Sequence, residues 1–187
     1  MELKNAPLLL LDSCAIVNLY ASTYFESLIE SLSGEVCIAD YVLRESQFVR
    51  NIHHGGEDER EPIRLDDFIQ RGVLRVLALD SEFEFERFLS LALRLDDGEA
   101  ATLSLATTRN GTLITDDRKA LSIAAEMSVP TLTTPDVLHG WAERLKLMDQ
   151  EICVALENIR VRARYEPARG HPRWSWWHAV IESGHLS

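Results

Sequence analysis

The sequence has few cysteines and no long apolar run, and both shortages restrict the class of protein. Its three cysteines, Cys14, Cys37 and Cys153, are widely spaced among apolar neighbours, which argues against a disulfide framework or a zinc site. Near the start, the apolar run Leu8–Leu11 is interrupted by Asp12 and is too short for a secretory signal or a membrane span. We therefore expect reduced, buried thiols and a cytoplasmic protein with no membrane segment.

The chain also lacks the glycine-rich phosphate loops of nucleotide-binding folds, since neither GxGxxG nor GxxxxGK[ST] occurs. Basic residues are in the minority: 19 Lys and Arg against 30 Asp and Glu give a net charge of −11, which at face value disfavours a polyanion ligand. The paired His53 and His54 lack the spacing of an HExxH zinc site. We interpret them as solvated residues of a surface loop over 51–64.

Short apolar runs alternate with longer amphipathic ones along the 187 residues, which is the pattern of a βαβ protein with a parallel sheet. The predicted strands cover residues 7–11, 35–39, 73–79, 112–115 and 130–133. The predicted helices between them cover 16–32, 41–50, 65–71, 81–95, 100–108 and 119–127. From Leu138 to Ile159, apolar residues at steps of three and four predict one long helix with a heptad seam. That seam would pack against its own domain or pair with a second chain.

Acidic residues occupy strand ends or the first helical turns that follow them. Asp12 ends the first strand in LLLLDSCAIVNLY, and Asp116 and Asp117 end the fourth in TLITDDRKA. Glu45 follows the second strand in VLRES, and Glu99 begins a helix in LDDGEAATLSLA. In a doubly wound sheet these positions converge at one edge, where grouped carboxylates repel one another unless a cation lies among them. Oxygen ligands of this kind suit Mg²⁺ or Mn²⁺, which can activate water against a phosphodiester.

Each acid taken alone also has a structural interpretation. The aspartates are good helix N-caps, Glu99 suits the positive end of a helix dipole, and Glu45 suits a solvated surface. Because every one of them stands at a strand end or near a helix start, the joint pattern favours a shared metal site.

These segments, in this order between residues 7 and about 135, resemble the PIN-domain family of metal-dependent ribonucleases, which includes toxins of bacterial toxin–antitoxin pairs. The resemblance implies a three-layer α/β/α sandwich with a central parallel sheet of about five strands. We expect a PIN-like nuclease domain over 1–140 and a helical, arginine- and tryptophan-rich extension over 141–187, for which nothing is carried over from the family. The implied activity is Mg²⁺- or Mn²⁺-dependent endoribonuclease cleavage of single-stranded RNA.

The resemblance also assigns roles to residues of this sequence. The implied catalytic acids, all metal ligands, are Asp12, Glu45, Glu99 and Asp117. Asp116 is the implied supporting ligand, with Ser13 and Thr115 as small polar residues near the metal. The candidate partners are an RNA substrate, an antitoxin protein and a second copy of the chain.

Two other functions compete with this prediction. A haloacid-dehalogenase-type phosphatase would need a second aspartate two residues after Asp12, where Cys14 stands. The stronger alternative is a non-catalytic PIN-like module that binds RNA or a partner protein without cutting.

Basic charge is concentrated near the C-terminus, where residues 158–178 contain five arginines against one acid, Glu166. Arginines contact phosphates, and aromatic side chains stack on unpaired bases. The candidate RNA-binding residues of this tail are Arg160, Arg162, Arg164 and Trp174. In the alternative interpretation, the tryptophans pack a C-terminal hairpin or helix onto the domain.

Overall fold

The computed structural model of the chain describes residues 7–45, 47–50 and 60–184. The chain divides into two compact units. One comprises Met1–Ala15, Ser33–Ser46 and Leu65–Thr133, and the other comprises Ile16–Leu32, Gln47–Arg64 and Thr134–Ser187. The predicted domains 1–140 and 141–187 divide the chain differently and stay a prediction.

Strands and helices alternate along the chain. In chain order the strands are β1 (Leu8–Leu11), β2 (Glu35–Ala39), β3 (Phe48–Arg50), β4 (Arg60–Pro62), β5 (Arg75–Leu77), β6 (Thr112–Ile114) and β7 (Thr131–Leu132). The helices are α1 (Ser13–Ala21), α2 (Phe25–Ser31), α3 (Asp40–Leu43), α4 (Asp66–Gln70), α5 (Glu82–Ala92), α6 (Asp97–Thr108), α7 (Arg118–Glu126), α8 (Thr134–Leu145), α9 (Asp149–Asn158) and α10 (Trp174–Gly184). A π-helical turn, Ile159–Ala163, follows α9. In the described part of the chain, no helix combines the length and apolar character needed to cross a membrane.

The first unit is built on a five-stranded sheet of order β5-β2-β1-β6-β7, and every pairing in it is parallel. Helices flank this sheet, which confirms the predicted α/β class with a central parallel sheet. The central strand is β1, whose Leu9, Leu10 and Leu11 are buried, as expected for a strand covered on both faces. The N–H of Asp12 donates to Ile114 O at 3.0 Å, so the ladder between β1 and β6 continues into the first acidic residue.

Helix α6 packs against β1, β2 and β6, and small residues let it lie close to the sheet. Its neighbour α5 begins with a capping box: Ser81 Oγ accepts from the Glu84 N–H at 3.2 Å, and the Glu84 carboxylate accepts from the Ser81 N–H. This cap confirms the helix predicted over 81–95, although its sequence SEFEFERF also alternates like a strand. The Arg109 guanidinium holds the buried Glu84 carboxylate with contacts of 2.7 and 3.2 Å.

The second unit combines helices with a two-stranded antiparallel sheet of β3 and β4. Helix α2 packs against α8, where the buried Trp141 donates from Nε1 to Ser27 Oγ at 2.9 Å. Helix α10 packs against α9, and Trp177 of α10 is fully buried. Trp177 is therefore a packing residue within its own unit, whereas packing of the tail onto the domain predicted over 1–140 stays a prediction.

The prediction of a single long helix from Leu138 to Ile159 is wrong. Helix α8 ends at Leu145 and α9 begins at Asp149, because Lys146 adopts a left-handed conformation with φ 54° that turns the chain. Two seam positions, Leu145 and Met148, are 48% and 68% exposed. The heptad seam consequently gives no support for pairing with a second chain.

Two further predictions need correction. The helix predicted over 16–32 is broken between α1 and α2, where Thr23 has φ 70°. The helix predicted over 41–50 ends with α3, and its last residues form β3 instead. Their extended conformation is stabilised by pairing with β4, a non-local partner that helical periodicity does not reveal. Part of the loop predicted over 51–64 is thus a strand, while His53 and His54 lie outside the described residues.

Candidate active site

Asp12 lies at the carboxyl end of the central strand and is almost completely buried. Its Oδ1 accepts from the Ser13 N–H at 2.8 Å. Its Oδ2 accepts from Thr115 Oγ1 at 2.8 Å and from Cys14 Sγ at 3.4 Å. Burial raises the pKa of Asp12, although these hydrogen bonds oppose the shift. The carboxylate is therefore held in a fixed orientation by the first two residues of α1 and by Thr115, the residue after β6.

The Cys14 thiol links these two segments. Its Sγ lies 3.3 Å from Thr115 Oγ1 and accepts from the Asp116 N–H at 3.2 Å. Burial raises the pKa of Cys14 to about 12, so the thiol stays protonated at neutral pH and can donate to Asp12. This contact explains why a cysteine stands beside the first acid without giving it any redox or metal chemistry.

Glu45 follows α3 and reaches the same edge of the sheet. Its Oε2 accepts from Ser13 Oγ in a short hydrogen bond. A Cβ atom added to Gly98 would collide with Glu45 Oε1, so the Glu45 carboxylate lies directly against the first turn of α6. Burial raises the pKa of Glu45, and the charges of Asp96 and Asp97 raise it further.

Glu99 lies in the first turn of α6, where its N–H donates to the side chain of the N-cap Asp96 at 2.8 Å. The pKa of Glu99 is raised to about 7, first by burial and then by the charges of Asp96, Asp12 and Asp117. The fold thus brings carboxylates from three separate segments close enough to oppose one another's ionisation.

Asp117 is the N-cap of α7. Its Oδ1 accepts from the N–H groups of Lys119 and Ala120, both at 2.8 Å, so the capping interpretation is observed. Its own N–H donates to Thr115 Oγ1 at 3.1 Å, which connects it to the group that holds Asp12. The preceding Asp116 is half-buried, and its backbone N–H contacts Cys14. Asp117 therefore has both a structural role and a place among the clustered acids.

A family model described as a PIN domain matches residues 8–167, which is most of the chain. The chain belongs to the PIN-domain family. A search of curated proteins finds no match. PIN domains are generally nucleases, they bind RNA, and they typically use divalent metal ions.

Two acids of this PIN domain were missed by the sequence reasoning. Asp96 caps α6, and its charge raises the pKa values of Asp12, Glu45 and Glu99. Asp97 acts in the same way on Glu45. The signal was present in the sequence LDDGE, where two aspartates precede the glycine and the glutamate.

The donor chemistry of the cluster fits a hard divalent cation, because every candidate ligand is a carboxylate and their mutual repulsion is relieved by positive charge. The side-chain positions fit a bound metal ion less well than the donor chemistry does. Among residues 7–45, 47–50 and 60–184, no three His, Cys, Asp or Glu side chains are grouped closely enough to hold a metal ion as they stand. Ligation would therefore require side-chain rotations within the cluster, and the metal role of these acids stays a prediction.

The candidate RNA-binding residues of the tail lie in the second unit. Arg160 pairs with Glu157 at 2.6 Å, and Trp174 stacks on His178 with ring centroids 4.1 Å apart. Arg162 is buried and donates to protein acceptors, whereas Arg164 is exposed. The fold does not bring these four side chains together as one surface, and their role in RNA binding stays a prediction.

Proposed function

We propose that the chain is a metal-dependent endoribonuclease that cleaves single-stranded RNA, using Mg²⁺ or Mn²⁺ held by Asp12, Glu45, Glu99 and Asp117. The observation that carries this proposal is the gathering of Asp12, Asp96 and Asp117 around Glu99, whose pKa is raised to about 7 first by burial and then by these charges. Such repulsion destabilises the folded protein, and it is relieved when a cation joins the site. Membership of a family of nucleases supports the same conclusion.

Each acid has a distinct task in this proposal. Asp12 is the most constrained ligand, because Thr115 and the Ser13 N–H fix both of its oxygens. Glu99 must lose its proton before it can bind a cation, so metal affinity should increase as the pH rises through about 7. Asp116 is the supporting acid beside Asp117. When bound, the cation polarises the phosphodiester and lowers the pKa of a coordinated water.

The physiological setting is proposed from the family alone. Within it, the chain acts in the cytoplasm as the toxin of a toxin–antitoxin pair. An antitoxin protein and a second copy of the chain are then its candidate partners.

A second candidate is a PIN module that binds RNA or a partner protein without cutting. The observation that favours it is the absence, among the described residues, of three metal-binding side chains already grouped as ligands. The clustered acids weigh against it, because a non-catalytic scaffold gains nothing from holding repelling carboxylates together.

The test is cleavage of a labelled single-stranded RNA in Mg²⁺ or Mn²⁺, with EDTA as the metal-free condition. The variant Asp12→Asn should lose cleavage but keep its fold, because it removes one ligand charge and preserves the shape of the side chain. The matched control is Asp66→Asn, at an exposed aspartate in the first turn of α4. Cleavage in EDTA, or undiminished cleavage by folded Asp12→Asn, would refute the proposal. Metal-independent RNA binding without cleavage would favour the second candidate.

A further inference from the structure

A cluster of positive charge lies in the second unit and shares no residue with the acidic site. A cavity of about 210 Å³ is lined by Val17, Phe48, Arg50, Arg60, Arg162, Ala163 and Arg164, and we name it the arginine pocket. Its volume is below the roughly 300–1,000 Å³ of sites for drug-sized ligands. The pocket is therefore suited to a small charged group, and the guanidinium groups of Arg50, Arg60 and Arg164 favour an anion.

The β3–β4 hairpin supplies two of these arginines, one from each strand. Arg50 lies directly opposite Arg60 in the antiparallel register. Two guanidinium groups at directly opposed positions of a hairpin are close enough to contact one anion between them. Because side chains alternate along a strand, Phe48 lies on the same face as Arg50. Its ring is 41% exposed and lines the same cavity.

Arg162 connects the segments that line the pocket through three hydrogen bonds. Its Nη1 donates to Ala21 O at 3.0 Å, its Nη2 to Glu61 Oε2 at 2.8 Å, and its Nε to Arg50 O at 3.4 Å. These bonds connect the end of α1 to both strands of the hairpin. Arg162 is thus a buried positioning residue, whose charge is paired with the Glu61 carboxylate.

Arg164 lines the pocket from the end of the π-helical turn. It is the C-cap of that turn and adopts a left-handed conformation with φ 55°, which ends the helix there. Its exposed side chain is the second arginine that this segment contributes to the arginine pocket, after that of Arg162.

We propose that the arginine pocket binds a phosphate group of single-stranded RNA and that Phe48 stacks on an adjoining base. The identity of this ligand rests on the proposed ribonuclease function. Guanidinium groups match phosphate oxygens through paired hydrogen bonds, and an exposed aromatic ring accepts any unpaired base. An acidic peptide would use the arginines but would have no base to place on Phe48. In a chain of net charge −11, the pocket supplies the local attraction that a polyanion requires.

The test measures binding of a fluorescent single-stranded RNA by anisotropy over a range of salt concentrations. The full chain is kept in EDTA so that no metal-dependent cleavage occurs. The double variant Arg50→Gln/Arg60→Gln should weaken binding and flatten the plot of log K against log salt by about 0.7 for each phosphate that it no longer neutralises. The variant Phe48→Leu should weaken binding roughly tenfold by removing one stacked base, with the salt slope unchanged. The control is Arg169→Gln, which removes a charge at an exposed residue outside the pocket and should change neither quantity.

Thermal unfolding separates a binding role from a structural one. Because Arg50 is half-buried and Arg60 is exposed, the double variant should melt at about the temperature of the wild type. A lower melting temperature with unchanged RNA affinity would overturn the inference. Inhibition of RNA binding by an acidic peptide of equal charge, at equal concentration, would also overturn it, because the pocket would then not distinguish RNA.

The outcomes also separate this inference from the proposed function. If the wild type cleaves RNA but the pocket variants bind it normally, the pocket inference fails and the nuclease proposal stands. If the wild type binds RNA through the pocket but does not cleave it in Mg²⁺ or Mn²⁺, the nuclease proposal fails and the pocket inference stands.

Discussion

Replacement of Glu99 by glutamine should stabilise the metal-free protein at neutral and alkaline pH but not at acidic pH. The glutamine side chain is a neutral analogue of the protonated glutamate, so it avoids repulsion from the neighbouring aspartates without losing the shape of the side chain. In the wild type, the folded protein holds the Glu99 proton up to about pH 7, whereas a glutamate ordinarily loses it near 4.5. Between these values the unfolded chain has already released a proton that the folded chain retains. Stability therefore falls as the pH rises through this window.

The size of the effect follows from the shift in pKa. A change from 4.5 to about 7 corresponds to about 3 kcal/mol at 1.36 kcal/mol per pH unit. Glu99 is only partly buried, and solvent screening reduces this value to roughly 1–2 kcal/mol. We therefore expect Glu99→Gln to be about 1–2 kcal/mol more stable than the wild type at pH 8 and nearly equal to it at pH 4.5.

Urea denaturation in EDTA at several pH values measures this difference directly. Comparison of variant with wild type at each pH cancels the titration of all other groups. The matched control is Glu86→Gln, at an exposed glutamate on α5 outside the cluster, which should show no comparable trend with pH. The reasoning is refuted if the stability difference does not change between pH 4.5 and 8, or if Glu99→Gln is the less stable protein at pH 8.

Three further predictions concern the metal ion, the Arg109–Glu84 ion pair and the backbone conformation of Lys146. Added Mg²⁺ or Mn²⁺ should raise the melting temperature of the wild type by mass action, and equal shifts for Asp12→Asn would mean that the ion binds elsewhere. The variant Arg109→Met should lower the free energy of unfolding by about 3–5 kcal/mol in urea denaturation, because it leaves the buried Glu84 carboxylate without its guanidinium partner. Adding Glu84→Gln to this variant should restore part of the lost stability. Lys146→Gly should stabilise the protein by about 0.5–1 kcal/mol. Glycine removes the strain of the left-handed conformation, and this gain exceeds the cost of the greater backbone entropy of the unfolded chain. A loss of stability would contradict this prediction.

The parallel sheet was predictable because its signal is local. The apolar β1 is followed at once by Asp12, and a similar arrangement recurs where Thr115 and Asp116 follow β6. Runs of this kind need burial on both faces, which a parallel sheet provides. The order of the strands was not predicted, because right-handed crossover connections limit the possible orders without selecting one. The proximity of the acids was predictable because the carboxyl ends of parallel strands meet at one edge of the sheet.

The break between α8 and α9 was not predictable from periodicity. Apolar residues continue at steps of three and four through Leu145 and Met148, although both are exposed in the turn. The residue that turns the chain is Lys146, and lysine carries none of the signal that glycine or asparagine gives at a left-handed position. The spacing of apolar residues therefore cannot distinguish one continuous helix from two helices whose apolar positions happen to continue the same three- and four-residue steps.

The arginine pocket shows a different limit of sequence reasoning. Adjacency in the sequence groups Arg160 with Arg162 and Arg164, but the fold turns these residues into different environments. Arg160 pairs with Glu157 and does not line the pocket, while the other two join Arg50 and Arg60 from a distant hairpin. The decisive fact is the cross-strand register of that hairpin, which depends on a strand that the helical pattern concealed. A net charge of −11 therefore does not exclude binding of a polyanion, because affinity depends on where a few arginines meet and not on their number.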